Sequence, residues 1–290
     1  MLVIYYMTNF PPRCGGDGHR AAGIAWDGNG IRFPVVMLPR ILTIDKLADY
    51  LHVARRHVER LIQEGDIPCV MRGGRMVFQR DEIDAWASQR LLRLPGASLD
   101  WYHRKTMQGT QQIFPRGALI PVLLQPDYLD LALPAKTRAS AIRDLVDLAE
   151  RTGRVFDPRE LLDTVTAREA LCATALPGGL ALLHARQHQA HRFEGSFIVL
   201  GRTIQPIPFG APDGRSSRVF FLICCQDERI HLHTLARLCL LALKTKIIAQ
   251  LLAAPDAAAA YAALVAAELA VLPAKVEAGP EKRGKGRRRS

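Results

Sequence analysis

The chain has 290 residues, 49% of them hydrophobic, and a formal net charge of +11, which allows two domains of an ordinary globular composition. No apolar run approaches the ~18 residues that span a bilayer, and the opening "MLVIYY" is too short, and lacks the basic lead-in, for a secretory signal. Six cysteines (Cys14, Cys69, Cys172, Cys224, Cys225 and Cys239) have no finger spacing, and the pair in "VFFLICC" reads as buried thiols; this excludes a disulfide scaffold and points to a reducing cytoplasm. Residues 1–36 are punctuated by glycine and proline ("PPRCGGDGHR", "WDGNGIRFP") and are expected to be a disordered extension.

Residues 37–92 are far more regular. Thr43 is a candidate helix N-cap, followed by apolar Leu47, Leu51 and Val53. After the turn "LHVA", residues 54–64 read as a second helix with Val58, Leu61 and Ile62 inward, stopped by Gly65. "IPCVMRGGRMVF" is a hairpin about Gly73-Gly74, and residues 80–92 return to helix. Residues 93–118, with Pro95, Gly96, Gly109, Pro115 and Gly117, are expected to be a linker whose Trp101 and Tyr102 dock on a neighbour. Residues 119–271 form the larger unit. Helical periods at 139–151, 158–168, 231–253 and 256–270 alternate with strand-like runs at 179–183, 196–200 and 218–225, the pattern of an α/β fold. The end of the chain, 272–290, is expected to be a disordered basic tail; from Lys275 on it carries seven Lys/Arg against two Glu.

Two short helices, a tight turn and a hairpin are the layout of a winged helix-turn-helix, whose second helix fits a major groove. Arg55, Arg56, His57 and Arg60 are basic residues on that helix, and Arg72 and Arg75 bracket the wing tip. DNA is therefore the expected partner of this unit. The stretch "LTIDKLADYLHVARRHVERLIQEGDIPCVMRGGRMVFQRDEIDAWA" resembles the excisionase/MerR-like DNA-binding domain over about fifty residues. It departs from that pattern at Ala54, where a Ser or Thr cap is usual, and at Glu59, which either accepts from a cytosine or repels phosphate.

The remaining chemistry is histidine chemistry. "GLALLHARQHQAHR" places His184 at the end of a buried strand, with His188 and His191 in the polar stretch beyond it. Only Glu194 follows to complete a ligand set, so no metal site is expected and the latter two histidines are read as solvated. His184, with Arg168 upstream and His231 and His233 downstream, offers a nucleophile, a cation and a second ring suited to a phosphoryl group. "REALCATALPGGLALLHAR" resembles the active-site segment of the type-2 IIA domains of the bacterial phosphotransferase system, the mannitol/fructose and nitrogen-regulatory class, and "HLHTL" resembles their second-histidine segment. The resemblance covers residues 119 to about 270. It implies a mixed sheet flanked by helices, phosphorylation of His184 by a histidine phosphocarrier protein, and His231, Arg168 and Thr174 beside it. Cys172-Ala173-Thr174-Ala175 stands where the family has Gly-Ser-Thr-Gly, and Leu183 and Ala185 replace a proline and a glycine around the histidine.

The expectation is a cytoplasmic, homodimeric transcription regulator, needing no cofactor, that reads phosphotransferase status. Its rivals are a phosphocarrier serving a sugar permease component and a IIA-like protein that acts by docking alone.

Overall fold

The computed structural model describes residues 23–26, 32–35, 40–51, 53–110, 113–114, 117–185 and 192–272. The basic tail from residue 273, His188 and His191 lie outside the described residues. Met1–Pro39 form a unit of their own, in which Gly23–Trp26 (β1) pairs antiparallel with Arg32–Val35 (β2). Two paired strands thus stand within the stretch expected to be disordered.

In the second unit, Arg40–Ser290, the first layer is small. The strand Ile41–Leu42 (β3) precedes helix Ile44–Tyr50 (α1), and Thr43 caps that helix by accepting from the Lys46 amide at 3.5 Å. Helix Arg55–Gln63 (α2) starts at Ala54 without a side-chain cap. Val70–Arg72 (β4) and Arg75–Gln79 (β5) turn through Gly73 and Gly74, whose φ angles of 55° and 73° are open to glycine at no steric cost. β5 lies between β3 and β4, and helix Arg80–Leu91 (α3) follows. Leu47, Leu51, Val58, Leu61, Phe78 and Ile83 bury together as its core.

The expected linker contains a four-turn helix, Gly96–Thr110 (α4), which packs along the later helix Glu228–Lys244 (α8). Helix Ile120–Leu123 (α5) and strand Leu129–Leu133 (β6) then open the larger domain. Arg138–Arg151 (α6) and Pro158–Leu171 (α7) lead to the strands Ala175–Leu176 (β7), Leu180–His184 (β8), Phe197–Ile207 (β9) and Ser217–Cys224 (β10). The sheet order is β6-β9-β10-β8-β7; β6–β9 and β10–β8 are parallel, the other two pairs antiparallel. The single helix expected over 231–253 is two, α8 and Ile247–Ala253 (α9), broken at Thr245 and Lys246; Ala257–Val271 (α10) ends the domain.

Alternation along the strands sorts the two faces. Leu183, Val199, Phe220 and Leu222 point to α6 and α7 in one core. Leu182, Leu200 and Phe221, of opposite parity, are buried on the other side, where α8, α9 and α10 contact the strands. The fold is mixed α/β: a small helix-turn-helix with a three-stranded sheet, and a five-stranded mixed sheet with helices.

Candidate functional site: a histidine pair and an arginine under a helix-turn-helix

His184 shares the parity of Leu182, so its ring lies on the α8 side of the sheet, at the C-terminal end of β8. The His231 ring on the first turns of α8 meets it at 4.8 Å between centroids. Asp227 caps α8 by accepting from the amides of Arg229 at 2.8 Å and Ile230 at 3.3 Å, which fixes where that ring is presented. From the last turn of α7, Arg168 Nε donates to His184 Nε2 at 3.1 Å, and its Nη1 donates to the Cys172 carbonyl at 2.9 Å. His184 Nδ1 lies 2.9 Å from the Leu182 carbonyl. A carbonyl only accepts, so Nδ1 carries the proton and Nε2 presents its lone pair.

Three of the four residues expected at the site are therefore brought together. All three are buried: His184 is 1%, His231 0% and Arg168 2% exposed. Burial pulls the Arg168 pKa below its ordinary value, and its Nη2 has no hydrogen-bond partner among the described residues. The nearby carboxylate of Glu169 is turned instead onto Thr174, accepting from the Thr174 hydroxyl at 2.7 Å and its amide at 3.2 Å. Thr174 thus fastens the loop after α7, and its hydroxyl is spent on Glu169.

Sequence reasoning missed what covers the pair. Ser88 on α3 places its hydroxyl 3.3 Å from His231 Nε2, and Arg93, just past α3, donates to Cys172 Sγ at 3.4 Å. Beside this contact, Asp84 of α3 accepts from the Tyr50 hydroxyl at 2.6 Å and faces Glu228, one turn before His231. Burial first pushes both carboxyls up: Asp84 to about 6, with the charges of Asp81 and Asp227 adding to the rise, and Glu228 well above its ordinary value, with the charge of Asp84 adding to it.

A second cluster on α8 was also missed. His103 of α4 stacks on His233 at 5.0 Å, and Thr106 Oγ1 meets His233 Nδ1 at 2.9 Å. Arg237 Nε donates to His103 Nε2 at 2.7 Å and pairs with Glu268 of α10, while Glu268 also accepts the Leu119 and Ile120 amides at 2.9 Å each. Burial holds His103 down to about 3 and His233 well below the ordinary histidine range. The i, i+3, i+7 spacing of His103, Thr106 and Thr110 was the available signal.

The expected nucleic-acid residues divide. Arg56 is exposed on α2 with no ion pair among the described residues, and Arg72 and Arg75 face each other across the exposed wing tip. Arg55 donates to Glu59 at 2.8 Å and to Asp45 at 2.6 Å, so two carboxylates already hold it. Arg60 Nη2 lies 2.7 Å from His57 Nδ1. His57 itself turns toward Trp101 on α4, with ring centroids 6.5 Å apart, in a cavity of about 400 Å³. Among the described residues no cluster of metal-ligating side chains occurs, and no helix is long and apolar enough to cross a membrane.

Comparison with known proteins divides the chain at the same place. Residues 41–91 match the model of a helix-turn-helix domain, and residues 122–266 match the model described as phosphoenolpyruvate-dependent sugar phosphotransferase system, EIIA 2. The nitrogen regulatory protein of Bradyrhizobium diazoefficiens is 30% identical over 145 residues, covering 49% of this chain and 92% of that protein. The fructose-specific EIIABC component of Bacillus subtilis is 25% identical over 137 residues, but the chain spans only 21% of its length. The crystal structure of the nitrogen regulatory protein IIA-Ntr from Neisseria meningitidis aligns with 51% of this chain and 99% of its own, at 23% identity and a TM-score of 0.47. Over residues 122–266, half its length, the chain belongs to the EIIA type-2 family of the phosphotransferase system, with a helix-turn-helix domain fused ahead of it.

Proposed function

We propose that the protein is a cytoplasmic DNA-binding transcription regulator that is phosphorylated on His184 Nε2 by the histidine phosphocarrier of the phosphotransferase system. The observation that carries this reading is the Arg168–His184–His231 cluster, with a protonated Nδ1 held on the Leu182 carbonyl and an unspent Arg168 Nη2 beside Nε2. In the transfer, the P–N bond of the carrier's phosphohistidine breaks as the bond to His184 Nε2 forms. The carrier's imidazole leaves with its electron pair, and the His184 proton stays on Nδ1. Arg168 Nη2 and the His231 ring are placed to take charge from the outer phosphoryl oxygens.

Arg56, Arg72 and Arg75 make the phosphate contacts of the DNA-binding half. Arg60 and His57, tied to each other, and Arg55, held by carboxylates, contribute less. Paired half-sites call for a homodimer.

Incubation of the full chain with phosphorylated phosphocarrier, read by mass spectrometry, is expected to add one phosphate to wild type and none to His184→Ala. Titrating salt against DNA binding is expected to show a steep loss of affinity; absence of binding at low salt would remove the regulator reading. One observation favours a second reading, docking without chemistry: the ring of His184 is only 1% exposed. Phosphate on wild type decides between them.

A further inference from the structure

We propose that the helix-turn-helix domain covers the histidine site in cis: α3 docks on His231 and the Arg168 loop where a phosphoryl donor must sit, so docking and phosphorylation exclude each other. This rests on the reading of His184 as the phosphoryl acceptor.

Two contacts define the cover. Ser88 of α3 meets His231 Nε2 at 3.3 Å, and Arg93 meets Cys172 Sγ at 3.4 Å. The Cys172 carbonyl in turn receives Arg168 Nη1. One edge of the domain therefore touches both the second ring and the loop that aims the guanidinium. In-line attack requires the donor phosphorus within ~3–3.5 Å of Nε2. A protein donor can deliver it only to a ring at the surface, and both rings are buried.

The chemistry of the contact makes it separable. Asp84 and Glu228 face each other across it, with Tyr50, Arg80, Asp81 and Asp227 as the other titratable or charged neighbours. Arg80 stands 3.7 Å from Asp84. A phosphoryl group brings roughly −1.5 to −2 charge near neutral pH, by analogy with other phospho-residues. His231 lies one helical turn beyond Glu228, so that charge enters an interface where the Asp84 carboxylate is already ionised near neutral pH, and α3 leaves. Helix α4 stays behind, because His103, His233, Arg237 and Glu268 fasten it to α8 and α10. Phosphorylation thus frees the DNA-binding domain on a fixed stalk.

The test is diethylpyrocarbonate modification of the full chain, mapped by mass spectrometry, with the half-exposed His57 as internal reference. Wild-type His184 is expected to react about tenfold or more slowly than His57, because it reacts only on local opening. Ser88→Arg, which forces a long cation into the His231 contact, is expected to remove that lag and to speed labelling by phosphorylated phosphocarrier by a similar factor. Circular dichroism checks the fold; if Ser88→Arg has lost it, the exposed Arg93→Glu replaces it, with the same expectation. Wild-type His184 reacting as fast as His57, or equally in wild type and a folded variant, overturns the cover. Faster modification in the variant with no phosphate on either protein keeps the cover and removes the phosphorylation reading beneath it.

Discussion

Helix α8 carries two clusters built alike from two histidines and an arginine. His231 joins His184 and Arg168; His233, on the opposite side of the helix, joins His103 and Arg237. In both, an arginine Nε donates to a histidine Nε2. The difference is the fourth partner. Arg237 is matched by Glu268 and by the Gly117 carbonyl, so its donors are spent. Arg168 has no such carboxylate among the described residues: Glu169 is committed to Thr174, and Nη2 is left over. A matched guanidinium fastens helices together; an unmatched one, held beside a lone pair, is equipped for an anion.

The sharpest way to break this contrast is Glu268→Ala. It strands Arg237 in the interior and orphans the Leu119 and Ile120 amides, so urea unfolding should show a loss of about 3–5 kcal/mol. Arg168→Met should do the converse. Stability should hold within ~1 kcal/mol, since an unpaired buried cation is removed, while the phosphoryl-transfer rate falls by about 10²–10³-fold, as when one transition-state donor is lost.

Asp84→Asn separates the α3 contact from the α4 contact by pH. The Asp84 carboxyl is raised to about 6 in the folded chain from 3.8. The folded state therefore holds a proton that the unfolded state gives up, and stability falls as pH rises through that window. His103, lowered to about 3, acts in the other direction: its stabilisation is lost as pH falls from about 6.5. Only the difference between variant and wild type isolates Asp84. Relative to wild type, Asp84→Asn should gain about 1–3 kcal/mol between pH 4 and pH 7 in chemical denaturation. The smallest effect belongs to α2: Ala54→Ser supplies the missing N-cap and should add about 0.5–1 kcal/mol, read as a rise in Tm.

What was legible in the sequence follows from which force shapes each element. Val58 and Leu61 on α2, and Ile83 and Ala87 on α3, stand at helical spacing and are buried where that spacing puts them. The strand ending at His184 was legible from an apolar run ending in a polar residue. Helix α4 was not, because past Leu99 and Tyr102 its buried stripe runs through His103, Thr106 and Thr110: polar residues that hydrogen-bond α8 or their own helix and mimic a loop in any hydrophobic pattern. β9 was read as ending at 200, since Gly201, Arg202 and Thr203 break the apolar run that marks a buried strand, although the strand continues to Ile207. The cover over the histidines had no local signature: Ser88 is an ordinary small residue whose partner is 143 positions away.

Helix α8 is buried almost all round, from Glu228 and His231 through Leu241. Two halves expressed separately, cut at residue 118 as the glycines and prolines suggest, would leave its α4 flank wet, and the larger fragment would clump. A scissor placed near residue 95 instead keeps α4 with its sheet and leaves α3 off the His231 contact from the start.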